Sequence, residues 1–320
     1  MVEIDNIDKK ILFEIDKNSR RSIKEIAKKL GLKRDTAAYR LKQLEKNNVI
    51  TGYYTIIDYS KLGYMLVRLY LKFQNTTPSL EEEIIQHLIA EKSCLTMFKA
   101  EGTWDLASGF LVTSFLEFKD IQKRLHKKYR KNINIYEVSI FYEFIHYLKN
   151  YLVEEKLRDY KKFSTGKSTG VKFDQTDIKL LRMIAHNSRI SLLELASGLK
   201  LSSMAARYRL KQLEKESVIL GYRALINLST IRYEYYKVDI ELEDISCLKE
   251  LEEYAKQHPH ITYEDKTIGG LDFEFDVEIK NDDEFYKLIA TLKERFSGMI
   301  RTYRYYKAKK IYKYIYLPDE

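Results

Sequence analysis

The octapeptide YRLKQLEK stands at Tyr39–Lys46 and again, letter for letter, at Tyr208–Lys215. It is built of good helix formers, with leucines three apart and basic side chains around them, and so reads as part of an amphipathic helix. The shift of 169 positions that lays Tyr39 on Tyr208 also lays Asp5-Asn-Ile-Asp8 on Asp174-Gln-Thr-Asp177, Asn18-Ser-Arg20 on Asn187-Ser-Arg189, and Gly52-Tyr53 on Gly221-Tyr222. Farther on, Gly102-Thr-Trp-Asp105 matches Gly269-Gly-Leu-Asp272 at a shift of 167. A period this long, against about 20 to 50 residues in a solenoid, is a duplication of whole domains.

Working outward from the octapeptide, each copy spells three short helices. Ile7, Ile11, Leu12 and Ile15 make the apolar face of the first, with Asp5 and Asp8 placed as a capping box. Ser22-Ile-Lys-Glu25 opens a second whose apolar positions are Ile23, Ile26, Ala27 and Leu30, and Gly31 supplies its left-handed stop. Copy two repeats this with Ser191-Leu-Leu-Glu194 and Leu192, Leu195, Ala196 and Leu199, but Lys200 stands in place of the glycine, leaving that helix end less well specified.

The octapeptide lies on the third helix. Ala37, Leu41 and Leu44, or Ala206, Leu210 and Leu213, face inward, so the basic residues point away. Five basic and two acidic side chains fall between 33 and 46, and four and one between 202 and 215, a net +3 on each helix. Val49-Ile50 or Val218-Ile219, a Gly-Tyr and a strand-like run follow, so each copy predicts three helices and a strand pair, a winged helix-turn-helix. Ser202 and Ser203 predict a cap for the second of these helices; in copy one Asp35 is the only obvious candidate.

The rest of each copy predicts βαββαβ, a ferredoxin-like sheet with helices on one face. In copy one MLVRLYLKF, CLTMFKAEG, DLASGFLVT and INIYEVSIFYEFI are the strands. Val138, Ile140, Tyr142 and Phe144 alternate with a second apolar set, Phe141 and Ile145, so both sheet faces need cover and the two sheets are expected to pair. The class is α+β, divided into helix-turn-helix units at 1–60 and 173–229, ferredoxin-like effector and dimerisation units at 61–148 and 230–320, and a linker at 149–172 whose STGKSTG (Ser164–Gly170) is flexible by composition.

Of 320 residues, 56 are Lys or Arg and 47 Asp or Glu, a formal net charge of +9 that admits nucleic acid or an anionic membrane as partner. The charged start MVEIDNIDKK carries no apolar signal core and no uncharged run is long enough to span a bilayer, which predicts a cytoplasmic protein without membrane partners. Cys94 and Cys247 form no Cys-x-x-Cys pair. His258-Pro-His260 has the wrong spacing for a helical metal pair and the other histidines are scattered, so neither metal nor cofactor is predicted. Thr165-Gly-Lys-Ser-Thr169 lacks the first glycine of a phosphate loop and a preceding apolar strand. The Tyr- and Lys-rich end, Tyr303–Tyr316, falls where the last strand belongs, which favours sheet packing over nucleic-acid stacking.

Asp5-x-x-Asp8, the Gly31-Leu32 turn, YRLKQLEKNNVITGY, Gly102-x-x-Asp105 and their second-copy equivalents resemble the Lrp/AsnC family of feast/famine transcription regulators. The resemblance covers nearly the whole chain, as two members fused head to tail. It implies a sequence-specific, double-stranded-DNA-binding regulator that pairs its own halves as a pseudo-dimer, reads two non-identical half-sites about 34 Å apart, and self-associates further through its sheets. The candidate DNA contacts are Arg34, Tyr39, Arg40, Lys42 and Lys46 in copy one and Ser203, Arg207, Tyr208, Arg209, Lys211 and Lys215 in copy two. For Tyr39 and Tyr208, contact with a thymine methyl or phosphate competes with packing against the wing. Gly102, Asp105, Gly269 and Asp272 match the family's effector loop, which implies a small effector such as an amino acid; a tight strand turn is the competing reading. Trp104 reads as packing. Siroheme decarboxylases resemble the family in fold, but IDYSKLGYMLVRLYLKF holds no His of their tetrapyrrole-binding signature. An assembly partner without DNA binding is a third reading, opposed by the basic helix in both copies. No enzymatic activity is expected.

Overall fold

The computed structural model describes residues 2–153, 159, 162–166 and 171–317. Copy one runs α1 (Asn6–Lys17), α2 (Ile23–Leu30), α3 (Arg34–Lys46), β1 (Ile50–Ile57), β2 (Met65–Phe73), α4 (Pro78–Ile89), β3 (Cys94–Gly102), β4 (Leu106–Val112), α5 (Phe115–Tyr129) and β5 (Ile133–Tyr147). A short strand, β6 (Lys162–Thr165), precedes copy two: α6 (Gln175–His186), α7 (Leu192–Leu199), α8 (Ser203–Lys215), β7 (Ile219–Ile226), β8 (Glu234–Leu242), α9 (Leu248–Gln257), β9 (Ile261–Ile268), β10 (Phe273–Ile279), α10 (Asp282–Arg295) and β11 (Ile300–Tyr314).

Capping chemistry fixes where the helices start. Capping boxes join Asp5 to Asp8, Ser22 to Glu25, Asp174 to Asp177 and Ser191 to Glu194, each satisfying amides that the first helical turn leaves free. Gly31 ends α2 at φ 67°, and Lys200 ends α7 in the same left-handed conformation at φ 56°. Both ends close with the same bond, Leu32 N–H to the Ala27 carbonyl and Leu201 N–H to the Ala196 carbonyl, each 2.9 Å. The lysine therefore adopts the glycine's conformation, at a backbone cost of about 1–2 kcal/mol. Ser202 caps α8 by accepting from the Ala205 amide at 3.2 Å. Asp35 does not cap α3: Lys33 holds that position without a side-chain bond, and Asp35 lies in the first turn, where its charge favours the helix dipole.

The expected strand pair of each winged helix-turn-helix forms differently. β1 pairs antiparallel with β7 of the other copy, from Ile50 opposite Ile226 to Ile57 opposite Ile219. The two three-helix heads are thereby sewn into one body.

The ferredoxin-like order appears in each copy, β5-β2-β4-β3 and β11-β8-β10-β9. The two sheets meet edge to edge instead of stacking: β3 pairs with β11, and β5 with β9, closing an eight-stranded barrel. Closure removes the open edges that a four-stranded sheet would expose. Outside, α4 and α5 bury Ile84, Leu88, Ile121 and Leu125 on Val67, Leu69, Met97 and Phe110, and α9 and α10 do the same in copy two. The inner faces, expected to be apolar, carry instead Arg68, Lys237, Asp239, Asp265, Glu274 and Asp276, all but Arg68 buried, alongside Tyr70, Phe98, Trp104 and Tyr306. Tyr303–Tyr314 lies within β11, paired with β8 as far as Ala308 and with β3 from Tyr306 onward, as sheet packing requires. The expected linker is corrected in part: Lys162–Thr165 form β6 against β5, whereas 167–170 lie outside the described residues.

Candidate nucleic-acid interface

The inward stripe of α3 is Ala37, Leu41 and Leu44, and that of α8 is Ala206, Leu210 and Leu213, all buried. Three- and four-residue spacing then turns the other faces outward. Arg34, Lys42 and Lys46 are exposed on α3, as are Arg207 and Lys215 on α8, and none of the five makes an ion pair with a carboxylate among the described residues. Lys211 is exposed too, but reaches Glu214 at 2.8 Å. Tyr39 and Tyr208 are 65% and 69% exposed, which rules out packing against the strand that follows. Ser203 is half-buried in the first turn of α8, behind the 82%-exposed Met204. A groove of about 870 Å³ runs beside Met204, Tyr208 and Gln212, flanked by Val171 and Lys172.

Arg40 and Arg209 are held by carboxylates. Arg40 bonds Asp5 at 2.7 Å and Asp8 at 3.0 Å, and Arg209 bonds Asp174 and Asp177 at 2.9 and 2.8 Å. Each guanidinium ties its outward helix to the capping box of the first helix. The hydrogen bonds to the two aspartates hold both arginines above their ordinary range. Asp174 is held below the usual carboxylate range by the Asp177 amide and Arg209; in Asp5 the Asp8 amide and Arg40 do the same against burial. These arginines brace one helix against another, which leaves fewer cations without a carboxylate partner on α3 and α8, among the described residues, than the sequence pattern indicated.

The two heads are fastened around a pseudo-two-fold axis. Ser19 Oγ and Ser188 Oγ lie 2.6 Å apart and buried, Arg20 donates to the Ser188 carbonyl at 2.5 Å, and Arg189 donates to the Ser19 carbonyl at 2.8 Å. The Ser19 amide bonds the Tyr222 carbonyl and the Ser188 amide the Tyr53 carbonyl, at 2.9 and 3.0 Å. Arg20 stacks over Tyr222, and Arg189 over Tyr53. One contact breaks the symmetry: Arg223 grips Asp16 bidentately at 2.9 and 2.6 Å, both side chains fully buried, where the equivalent positions are Tyr54 and Ala185. None of these residues was singled out in sequence; the repeated Asn-Ser-Arg was the available signal.

The effector-loop candidates sit at the barrel seams. Asp105 accepts from Lys72 at 2.8 Å and from the Phe73 amide at 2.7 Å, and Asp272 accepts from the Leu242 amide at 2.8 Å. Gly102, at φ 122°, lies so close to β11 that a Cβ would come within 2.7 Å of the Tyr305 carbonyl; at Gly269, φ 87°, one would come within 2.9 Å of the Val138 carbonyl. This is the geometry of strand turns pressed against the other copy. Trp104 packs, stacked on Tyr70 with centroids 5.4 Å apart.

Inside the barrel, Lys237 contacts Asp265, Glu274 and Asp239 at 2.8, 2.9 and 3.2 Å, and Arg68 contacts Asp265 at 2.6 Å. Burial, and then the nearby Asp265 carboxylate, push Asp276 up to about 7; Tyr235 donates to it. A cavity of about 20 Å³ beside Tyr59, Tyr235 and Asp276 has space for about one water.

A family model described as winged helix-turn-helix DNA-binding matches residues 4–51 and again 173–219. An HTH-type transcriptional regulator of Pyrococcus furiosus is 30% identical over 135 residues, which are 42% of this chain and 86% of that protein. The leucine-responsive regulatory protein of Haemophilus influenzae is 30% identical over 142 residues, 41% of this chain and 81% of that one. Among solved structures, that of the siroheme decarboxylase NirDL matches 98% of this chain and 94% of its own, with TM-score 0.64 at 14% identity, a likeness of fold.

Proposed function

Because the chain belongs to the Lrp/AsnC family of transcription regulators, as a tandem form, we propose that it regulates transcription by reading two non-identical DNA half-sites with α3 and α8 of one polypeptide. The observation that carries this is the reciprocal fastening of the heads through Ser19 and Ser188, which joins two outward basic helices on one hydrogen-bonded body. Arg34, Lys42 and Lys46 meet one half-site, and Arg207, Lys211 and Lys215 the other, with phosphates neutralised mainly by the lysines. Asp35, Ala38, Tyr39 and Lys42 are the outward residues of one helix and Met204, Arg207, Tyr208 and Lys211 those of the other, so the operator is imperfectly palindromic. In this reading the units 1–60 and 173–229 read DNA, while 61–148 and 230–320 form the barrel that answers a small effector and supports further self-association.

Selection of bound duplexes from a random pool tests it. The expected outcome is two related but unequal motifs with centres about 10 base pairs apart; recovery of a single motif overturns the pseudo-dimer, and recovery of none overturns the regulator. The whole-chain likeness to NirDL supports a second reading, a tetrapyrrole enzyme. Against it stands a barrel interior filled with side chains around about 20 Å³. Titration with an iron tetrapyrrole, followed by its visible absorption, separates the two.

A further inference from the structure

β5 and β11 are equivalent strands of 15 residues, Ile133 matching Ile300 and Tyr147 matching Tyr314. Each pairs first with the opening strand of its own sheet, β5 with β2 as far as Ile140 and β11 with β8 as far as Ala308. Beyond that point this side of each strand is left over. On β5 it is covered by β6, Phe144 opposite Thr165 through Tyr147 opposite Lys162. On β11 the matching edge, Ile311–Tyr314, has no strand partner among the described residues, and a groove of about 540 Å³ runs between it and β7.

The floor of the two seats matches as well. Phe163 of β6 lies on Gly221, where a Cβ would come within 2.7 Å of the ring; Gly52, its equivalent, has nothing within 4 Å. Residues buried on the covered side are open on the other: Phe144 is 8% exposed and its equivalent Ile311 45%, while Ile56 is buried and its equivalent Leu225 half-buried. The charge differs. Ser164 donates to Glu143 at 2.6 Å, and the position equivalent to Glu143 is Lys310, exposed and without an ion pair to a carboxylate among the described residues.

We propose that this groove docks an extended peptide segment of another protein, added antiparallel to Ile311–Tyr314, with an aromatic residue seated over Gly52 and a carboxylate at the next position paired with Lys310. An exposed strand edge supplies main-chain hydrogen bonds, and the side-chain seats supply selectivity. The inference stands independently of the DNA-binding reading.

The test uses the full chain and two fluorescein-labelled peptides, Lys-Phe-Glu-Thr-Gly and Lys-Phe-Lys-Thr-Gly, read by anisotropy and by hydrogen exchange of the Ile311–Tyr314 amides. The glutamate peptide is expected to bind at least about tenfold more tightly than the lysine peptide and to slow exchange along Ile311–Tyr314. Lys310→Glu is expected to invert that preference, a gain of binding that a misfolded variant cannot give. Gly52→Phe, which occupies the seat, is expected to abolish binding without lowering the unfolding midpoint. Equal binding of the two peptides, protection elsewhere, or no binding up to millimolar peptide overturns the proposal.

Discussion

Ser19 Oγ and Ser188 Oγ, 169 residues apart in the chain, lie 2.6 Å from one another on the axis that relates the two copies. Each head touches the equivalent position of the other there, so their relative orientation is held by hydrogen bonds that each copy both gives and receives. Orientation matters because two basic helices serve one duplex only when both face it together.

The buried Asp16–Arg223 pair exists on one side of that axis only. Asp16→Ala should destabilise the chain by about 3–5 kcal/mol, because the guanidinium is left buried and unpaired. The double variant Asp16→Leu/Arg223→Met should recover most of the loss. Urea unfolding midpoints check both; a single variant no worse than the double would refute the pairing.

Arg40 and Arg209 should behave differently from Lys42 and Lys46. Alanine at either arginine is expected to lower stability by about 0.5–1 kcal/mol while leaving the salt dependence of DNA binding unchanged. Alanine at Lys42 or Lys46 should reduce the slope of log K against log salt by about 0.9 for each phosphate that the lysine no longer neutralises. Fluorescence anisotropy across a salt series distinguishes them.

Asp276 titrates inside the barrel, facing Asp265 on β9, Lys237 and Tyr235 on β8, and Arg68 on β2. Its folded value of about 7 lies above that of an unfolded aspartate, so between these values the native state holds the extra proton. Stability from this group is therefore full at low pH, falls as pH rises toward 7 by up to about 1.4 kcal/mol per unit, and is level above. Asp276→Asn should gain on the native chain between pH 5 and pH 8. Parallel urea titrations at the two pH values measure this, and a constant difference would count against it.

Gly102→Ala separates the turn from the ligand reading of the effector loop. Strain at φ 122° and contact with the Tyr305 carbonyl should cost about 1–3 kcal/mol of stability. If the loop serves a ligand alone, the unfolding midpoint stays in place and only the effector response changes.

Local chemistry was legible in the sequence. Capping boxes at Asp5, Ser22, Asp174 and Ser191 and the apolar stripes through Leu41 and Leu210 depend on neighbours three or four residues away, so the helices follow from the string alone. The ion pairs of Arg40 and Arg209 were not legible, because a helix face cannot reveal the aspartates, 32 and 35 residues earlier, that fold against it.

By itself, then, the chain determined the duplication, the order of helices and strands, and the charge of each third helix, since these rest on periodicity and short-range bonding. Tertiary structure alone decided that β1 pairs across copies with β7, that the two sheets close into one barrel, and that charged groups fill it. Strand partners are chosen among edges distant in sequence, and which edge wins depends on the geometry of both halves once they have met.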